Sequence, residues 1–204
     1  MKTLDIFRSA VFAGVCIGVA GFGFLVNPNI GMFLFIFGLA TVVQYKLKLF
    51  TGTAGWVENK KDFADLMIIL SGNIVGCLLV ALLARCSDMD LTSAAENILN
   101  RRISNGWWQC GLLSIGCGFL MTTAVNFARK SKEFGDWVPL LLAVPLFIHC
   151  GFPHCIADTF YYMTCSPHAV FSQPTFPLLY ISIIAGNFIG CNLYKIFLRK
   201  EYRV

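Results

Sequence analysis

From Phe147 to Tyr162 the chain reads FIHCGFPHCIADTFYY. Two histidines, two cysteines and an aspartate sit in an apolar run that also holds Gly151 and Pro153. Breaking a helix and placing ionisable groups at membrane depth is costly, and is found mainly where backbone and side chains line a cavity. One imidazole there suits proton traffic, because histidine titrates near neutral pH. His154 and Asp158 stand four residues apart and share a face on a continuous helix, where a carboxylate would favour the imidazolium. The expectation is that Asp158 turns away from the cavity, or pairs with His154 or another neighbour. His149-Cys150 and His154-Cys155 allow a second class of reading, a membrane-embedded thiol redox or metal-binding protein. Residues at i and i+5 share a helical face poorly, and Cys in apolar segments behaves as a small hydrophobe. No nucleophile, base and orienter set and no cofactor motif accompanies them. No enzyme activity, metal or cofactor is expected. His149 reads as a packed residue and His168 as a loop residue.

The elements around this stretch are membrane elements. Of 204 residues, 57% are hydrophobic and only 13% charged, against roughly 25% charged in soluble domains. Mean hydropathy is +0.69. At about 20 residues per span, the chain holds about six crossings and no soluble catalytic domain. The net charge of +5 sits in short loops between apolar runs, so no nucleic-acid partner is expected. The first apolar run continues without a small-residue cleavage site and reads as a span, not a removed signal.

Span one covers residues 6–26, with Gly14, Gly18 and Gly21 near helical spacing. Span two begins near Ile30 and fails early, at Gln44, Lys46 and Lys48. A Gly- and Thr-rich run, 49–55, follows and is too short to cross. Residues 58–62 form a charged loop, and span three covers 63–84. Residues 85–105 are polar with apolar positions at helical spacing, which predicts a short amphipathic surface helix. Span four covers 107–127, span five 137–163 with a break near Gly151, and span six opens at Pro174 and Pro177 and runs to 197. Residues 1–204 thus form one transmembrane domain: a first repeat at 6–84, a surface helix and loop at 85–106, and a second repeat at 107–197. With both termini inside, every Lys and Arg falls on the inner side except Arg85, Arg101 and Arg102, which sets both ends as cytoplasmic.

The repeat is visible in the letters. Ser71-Gly72-Asn73-Ile74-Val75-Gly76-Cys77 in span three matches Ala185-Gly186-Asn187-Phe188-Ile189-Gly190-Cys191 in span six. Each copy follows a broken span. Three spans per unit is odd, so the two copies run in opposite directions, an inverted-topology repeat of the kind found in transporters.

These residues resemble the formate/nitrite transporter family. The resemblance rests on Leu49-Phe50-Thr51 at the span-two break, the Gly-Asn pairs of spans three and six, and Gly151-Phe152-x-His154-x-Ile156-Ala157 in span five. It also rests on Ile115-Gly116-Cys117-Gly118-Phe119-Leu120-Met121 with Ala124-Val125 in span four, and it covers about 6–195. It implies an all-α membrane protein of six transmembrane helices in two inverted three-helix repeats, an aquaporin-like protomer with helices two and five broken. It implies a homopentamer in the cell membrane, with each protomer passing small monovalent anions such as formate, nitrite or hydrosulfide, or their conjugate acids, together with protons. By motif position, His154 falls on the central histidine and Thr51 on the loop threonine. Phe35, Leu39, Phe147, Leu49 and Phe50 fall on or beside constrictions. On composition alone Phe35, Leu39 and Phe147 would face lipid or core. Asp158, Asn73, Asn187 and Gly151 fall beside the pore or at helix packing. Arg102 falls near an anion-attracting lysine, and otherwise reads with Arg101 as a surface charge. Lys46 and Lys48 read as interfacial anchors. The chain departs from the family at Pro153, usually glutamate, at Asp158, usually asparagine, and at Gly118, an asparagine in some members.

A bare anion loses much hydration energy in an apolar constriction, and a neutral acid far less. A passage ringed by Phe and Leu therefore suits the acid.

Overall fold

The computed structural model describes residues 2–129 and 133–197. Lys130, Lys132 and the basic residues Arg199, Lys200 and Arg203 lie outside it. The described chain is helical, with no strand among the described residues.

Three helices are long and apolar enough to cross a membrane unaided: α1 (Thr3–Val26), α4 (Lys60–Ala84) and α6 (Trp107–Arg129). The other apolar helices are shorter. α2 (Pro28–Gln44) is followed by the single turn α3 (Phe50–Thr53) and a 3-10 turn, Ala54–Trp56. α7 (Val138–His149) is followed by α8 (Cys155–Thr164). α10 (Phe176–Cys191) bends at Asn192 into α11 (Leu193–Phe197), so the last span is not one straight rod. α5 (Leu91–Asn105) lies between the halves and buries Leu91, Ala95 and Leu99 on one face. α9 (Pro167–Phe171) contains His168, expected in a loop, because Ser166 caps the turn through a bond from Ala169 N–H. Likewise α4 starts inside the expected charged loop, since Asn59 accepts from the N–H groups of Lys61 and Asp62.

The halves match as an inverted repeat down to single atoms. α1 packs on α4 as α6 packs on α10. A Cβ on Gly76 would strike the carbonyl of Val11, and one on Gly190 the carbonyl of Ile115. Glycine there allows the close backbone approach that holds helices together in lipid.

Both breaks use the same cap. α2 ends with Leu47 N–H bonded to Val42 O at 2.8 Å and Lys46 N–H to Val43 O at 3.0 Å. α7 ends with Phe152 N–H bonded to Phe147 O at 3.0 Å and Gly151 N–H to Ile148 O at 3.0 Å. This is the Schellman pattern, which needs a left-handed residue after the helix. Gly151 (φ 68°) meets that need without strain, whereas Lys46 (φ 52°) does so with a side chain attached. Phe37, Leu142 and Ile181 are exposed on the outside, as a lipid-facing surface requires.

Candidate functional site

Past each break the backbone must restart in an apolar interior with its polar groups satisfied. One asparagine serves each restart. Asn73 Oδ1 accepts from Phe50 N–H at 2.9 Å, while Nδ2 donates to Lys48 O at 2.9 Å and Ala10 O at 2.8 Å. Asn187 Oδ1 accepts from Cys155 N–H at 2.8 Å, while Nδ2 donates to Pro153 O at 3.0 Å and Ser114 O at 2.8 Å. Each asparagine thus clamps the residues on either side of one position. In the first half that position is Leu49, in the second His154. Cys77 and Cys191 tie the halves together: their thiols donate to Ile156 O at 3.3 Å and Thr51 O at 3.2 Å.

His154 is the N-cap of α8, and its Nδ1 accepts from Ala157 N–H at 3.1 Å. A ring nitrogen that accepts carries no proton, so the ring proton is assigned to Nε2. Nε2 lies 3.0 Å from Thr51 Oγ1 and donates to it. Thr51 is fully buried and His154 almost so. The site is therefore a neutral imidazole with its N–H shared with a hydroxyl, one group from each half. The positive end of α8 points the same way and favours negative charge nearby.

Apolar rings close around this pair. The Phe147 ring centroid is 5.7 Å from that of His154, and Phe35 meets Phe147 edge-on at 5.9 Å. Phe35, Leu39, Leu49, Phe50 and Phe147 are all buried. Two cavities carry basic residues, and one of them reaches the pair. One, of about 780 Å³, lies under α5 and reaches Phe147 and His154, with Arg101 and Arg102 on its wall. The other, of about 620 Å³, lies at the far end of α6 and is lined by Lys46, Lys48 and Arg129. Asp158 lies on the first wall as well and pairs with Arg102, while the second holds three basic side chains.

Arg102 is not the surface charge the sequence suggests, and Asp158 and Gly118 each meet a defined neighbour. Arg102 is mostly buried, its side chain 13% exposed, and is not a free surface charge. Its Nη1 donates to Gly151 O at 2.7 Å, and its Nη2 to Asp158 Oδ1 at 3.4 Å. Asp158 carries its carboxylate to Arg102, and only its backbone N–H bonds to His154, at the carbonyl. Gly118 has no room for a side chain, since a Cβ there would strike the Asn187 carbonyl. Cys150 is exposed and Cys155 buried, on either side of the break. The clamping role of Asn73 and Asn187 was not legible as such. Its signal was the asparagine inside each otherwise apolar Gly-rich copy.

The formate/nitrite transporter family model matches residues 1–198. The formate channel FocA of Haemophilus influenzae is 24% identical over 224 residues, covering 93% of this chain and 79% of that protein. A formate-nitrite transporter of Plasmodium knowlesi is 25% identical over 238 residues, covering 96% of this chain and 76% of that protein. Among solved structures, a pentameric formate channel with formate bound superposes with a TM-score of 0.77 at 22% identity, covering 97% of this chain and 98% of that one. An FNT family ion channel superposes with a TM-score of 0.83 at 18% identity, covering 95% and 88%.

Proposed function

Because this chain belongs to the formate/nitrite transporter family, we propose that it is a channel or proton-linked transporter for small monovalent anions, carried as weak acids such as formic or nitrous acid or hydrogen sulfide. The observation that carries this reading is the bond between Thr51 and His154, among the buried side chains of Phe35, Leu39, Leu49, Phe50 and Phe147, at the end of the cavity under α5. Arg101 beside that cavity, and Lys46, Lys48 and Arg129 at the far end of α6, draw anions toward the two faces. The apolar rings reject the ion on desolvation cost and admit the neutral acid. His154 Nε2–H and the Thr51 hydroxyl offer a donor and a donor–acceptor pair at the one point where a dehydrated acid needs them. Six spans cross the cell membrane with both termini on the cytoplasmic face, as the Lys and Arg distribution favours. Five copies assemble around a common axis, each with its own passage, as in the pentameric formate channel.

The test is uptake into liposomes carrying purified protein, with a panel of weak acids at two pH values, wild type beside His154→Ala. The wild type takes up formate or nitrite faster at the lower pH, where more of the acid is neutral, and His154→Ala loses most of the flux. Wild-type uptake no faster than that of empty liposomes, for every acid tried, would refute the reading.

A further inference from the structure

An apolar groove lies on the flank of the molecule, without His154 on its wall. It holds about 340 Å³ and runs between α4, α8, α9 and the start of α10. Ile74 and Leu78 of α4, Met163 of α8, Val170 of α9 and Phe176 of α10 give it hydrocarbon walls. The hydroxyls along it are engaged elsewhere. Thr159 Oγ1 donates to Cys155 O and, its proton spent, accepts from the Tyr180 hydroxyl. The Tyr162 hydroxyl turns to the Asp158 carboxylate. Tyr162 and Tyr180 therefore offer the groove their rings, which pack edge-on with centroids 6.1 Å apart. Among the described residues lining the groove, Arg85 alone is charged, at the C-terminal cap of α4. Its side chain is exposed and, among the described residues, has no ion-pair or hydrogen-bond partner.

Ile74 and Arg85 stand eleven residues apart on one helix, a rise of about 16 Å. One leaflet of a bilayer contributes about 15 Å of hydrocarbon, half of the full core. The groove is therefore as long as a leaflet is deep, offers no free polar group along that depth, and ends at an unpaired cation. Leu78 is 42% exposed, so the groove opens to the outside of the helix bundle. The matching occupant is apolar along its length and anionic at one end. We propose that the groove seats one acyl chain of an anionic phospholipid, with the phosphate held by Arg85. A second copy of this chain fits less well, because it would have to bring an acid to Arg85. Of the acids between α4 and α10, Asp90, Glu96 and Asp158 already bond within the chain, which leaves Asp88 alone. The site depends on the chain lying in a bilayer and not on which solute crosses it.

Native mass spectrometry of the full chain in detergent tests it, with phosphatidylglycerol and phosphatidylcholine of identical acyl chains added in equal amounts. The wild type retains phosphatidylglycerol over phosphatidylcholine by about fivefold at its tightest site, the worth of one arginine beside an anionic headgroup. Arg85→Gln brings that ratio close to one and leaves phosphatidylcholine retention unchanged. Arg101→Gln removes the same charge from an exposed position on α5 and keeps the ratio. Leu78→Trp fills the groove and lowers retention of both lipids. Arg85 and Arg101 are exposed, so their variants serve even if Leu78→Trp fails to fold. A ratio unmoved by Arg85→Gln overturns the site, as does full retention of both lipids in folded Leu78→Trp. An equal fall in Arg85→Gln and Arg101→Gln also overturns it, since that marks general attraction between a basic surface and anionic headgroups. A wild type without lipid preference, whose oligomer falls apart in Leu78→Trp, would assign the groove to a second copy of the chain and overturn the lipid.

Discussion

Asn73 and Asn187 should be worth more than ordinary polar residues in membrane helices, and equally so. Replace either with Leu, which shares the branching at Cγ and cannot bond. Phe50 N–H or Cys155 N–H then loses its acceptor, and two carbonyls lose a donor in each case. An unpaired buried N–H costs about 1–3 kcal/mol. The carbonyls cost less, because each has a second lone pair and Ala10 O and Ser114 O lie within helices. The sum is about 2–4 kcal/mol per site. Interhelical hydrogen bonds in membrane proteins average only about 0.6 kcal/mol, so the two expectations are separable. Reversible unfolding in mixed detergent measures the difference for wild type, Asn73→Leu, Asn187→Leu and the pair. The single losses should agree, and the double should be additive within about 0.5 kcal/mol. A loss below about 1 kcal/mol at either site would mean that the breaks do not depend on these clamps. A large loss at only one would mean that the two halves are not built alike.

Lys46→Gly should stabilise the protein by about 0.5–1 kcal/mol in the same unfolding assay, because a left-handed residue loses its Cβ penalty. Gly151→Ala should do the reverse by about 1–2 kcal/mol; no atom crowds the added Cβ, so the cost is backbone conformation alone. Thr51→Val should leave His154 Nε2–H without an acceptor and lower formate flux, while Thr51→Ser keeps both the bond and the flux. Flux retained in Thr51→Val would remove the hydroxyl from the passage. Gly190→Ala should prevent correct packing of α6 on α10, read as loss of a monodisperse detergent-solubilised species, since the new methyl group would meet the Ile115 carbonyl.

The fold was legible because lipid imposes few solutions. Apolar runs of the right length, one Gly-Asn copy in each half and two failed spans left little choice beyond an inverted pair. Thr51 and His154 were legible by motif, and the structure places them 3.0 Å apart. What could not be read were features set by tertiary partners. Nothing in Val43-Gln44-Tyr45-Lys46 marks Lys46 as left-handed, for the cap is imposed by the chain's turn toward Leu49. Arg102 looked like a surface charge because helical periodicity locates a face but not the depth of what the face meets. Asp158 offered a partner nearby in sequence, His154, and took a distant one, Arg102, whose position depends on how α5 folds back over the break.

The matched clamps carry one more consequence. Leu49 and His154 occupy equivalent places, so the scaffold is nearly indifferent to which way up it stands, while the chemistry is not. The cavity under α5 ends at an imidazole, whereas the matched place in the other half, just past Lys48 in the chain, is a plain hydrocarbon, Leu49. The two halves thus differ chemically at their matched places, with His154 against Leu49 and Ile156 against Thr51.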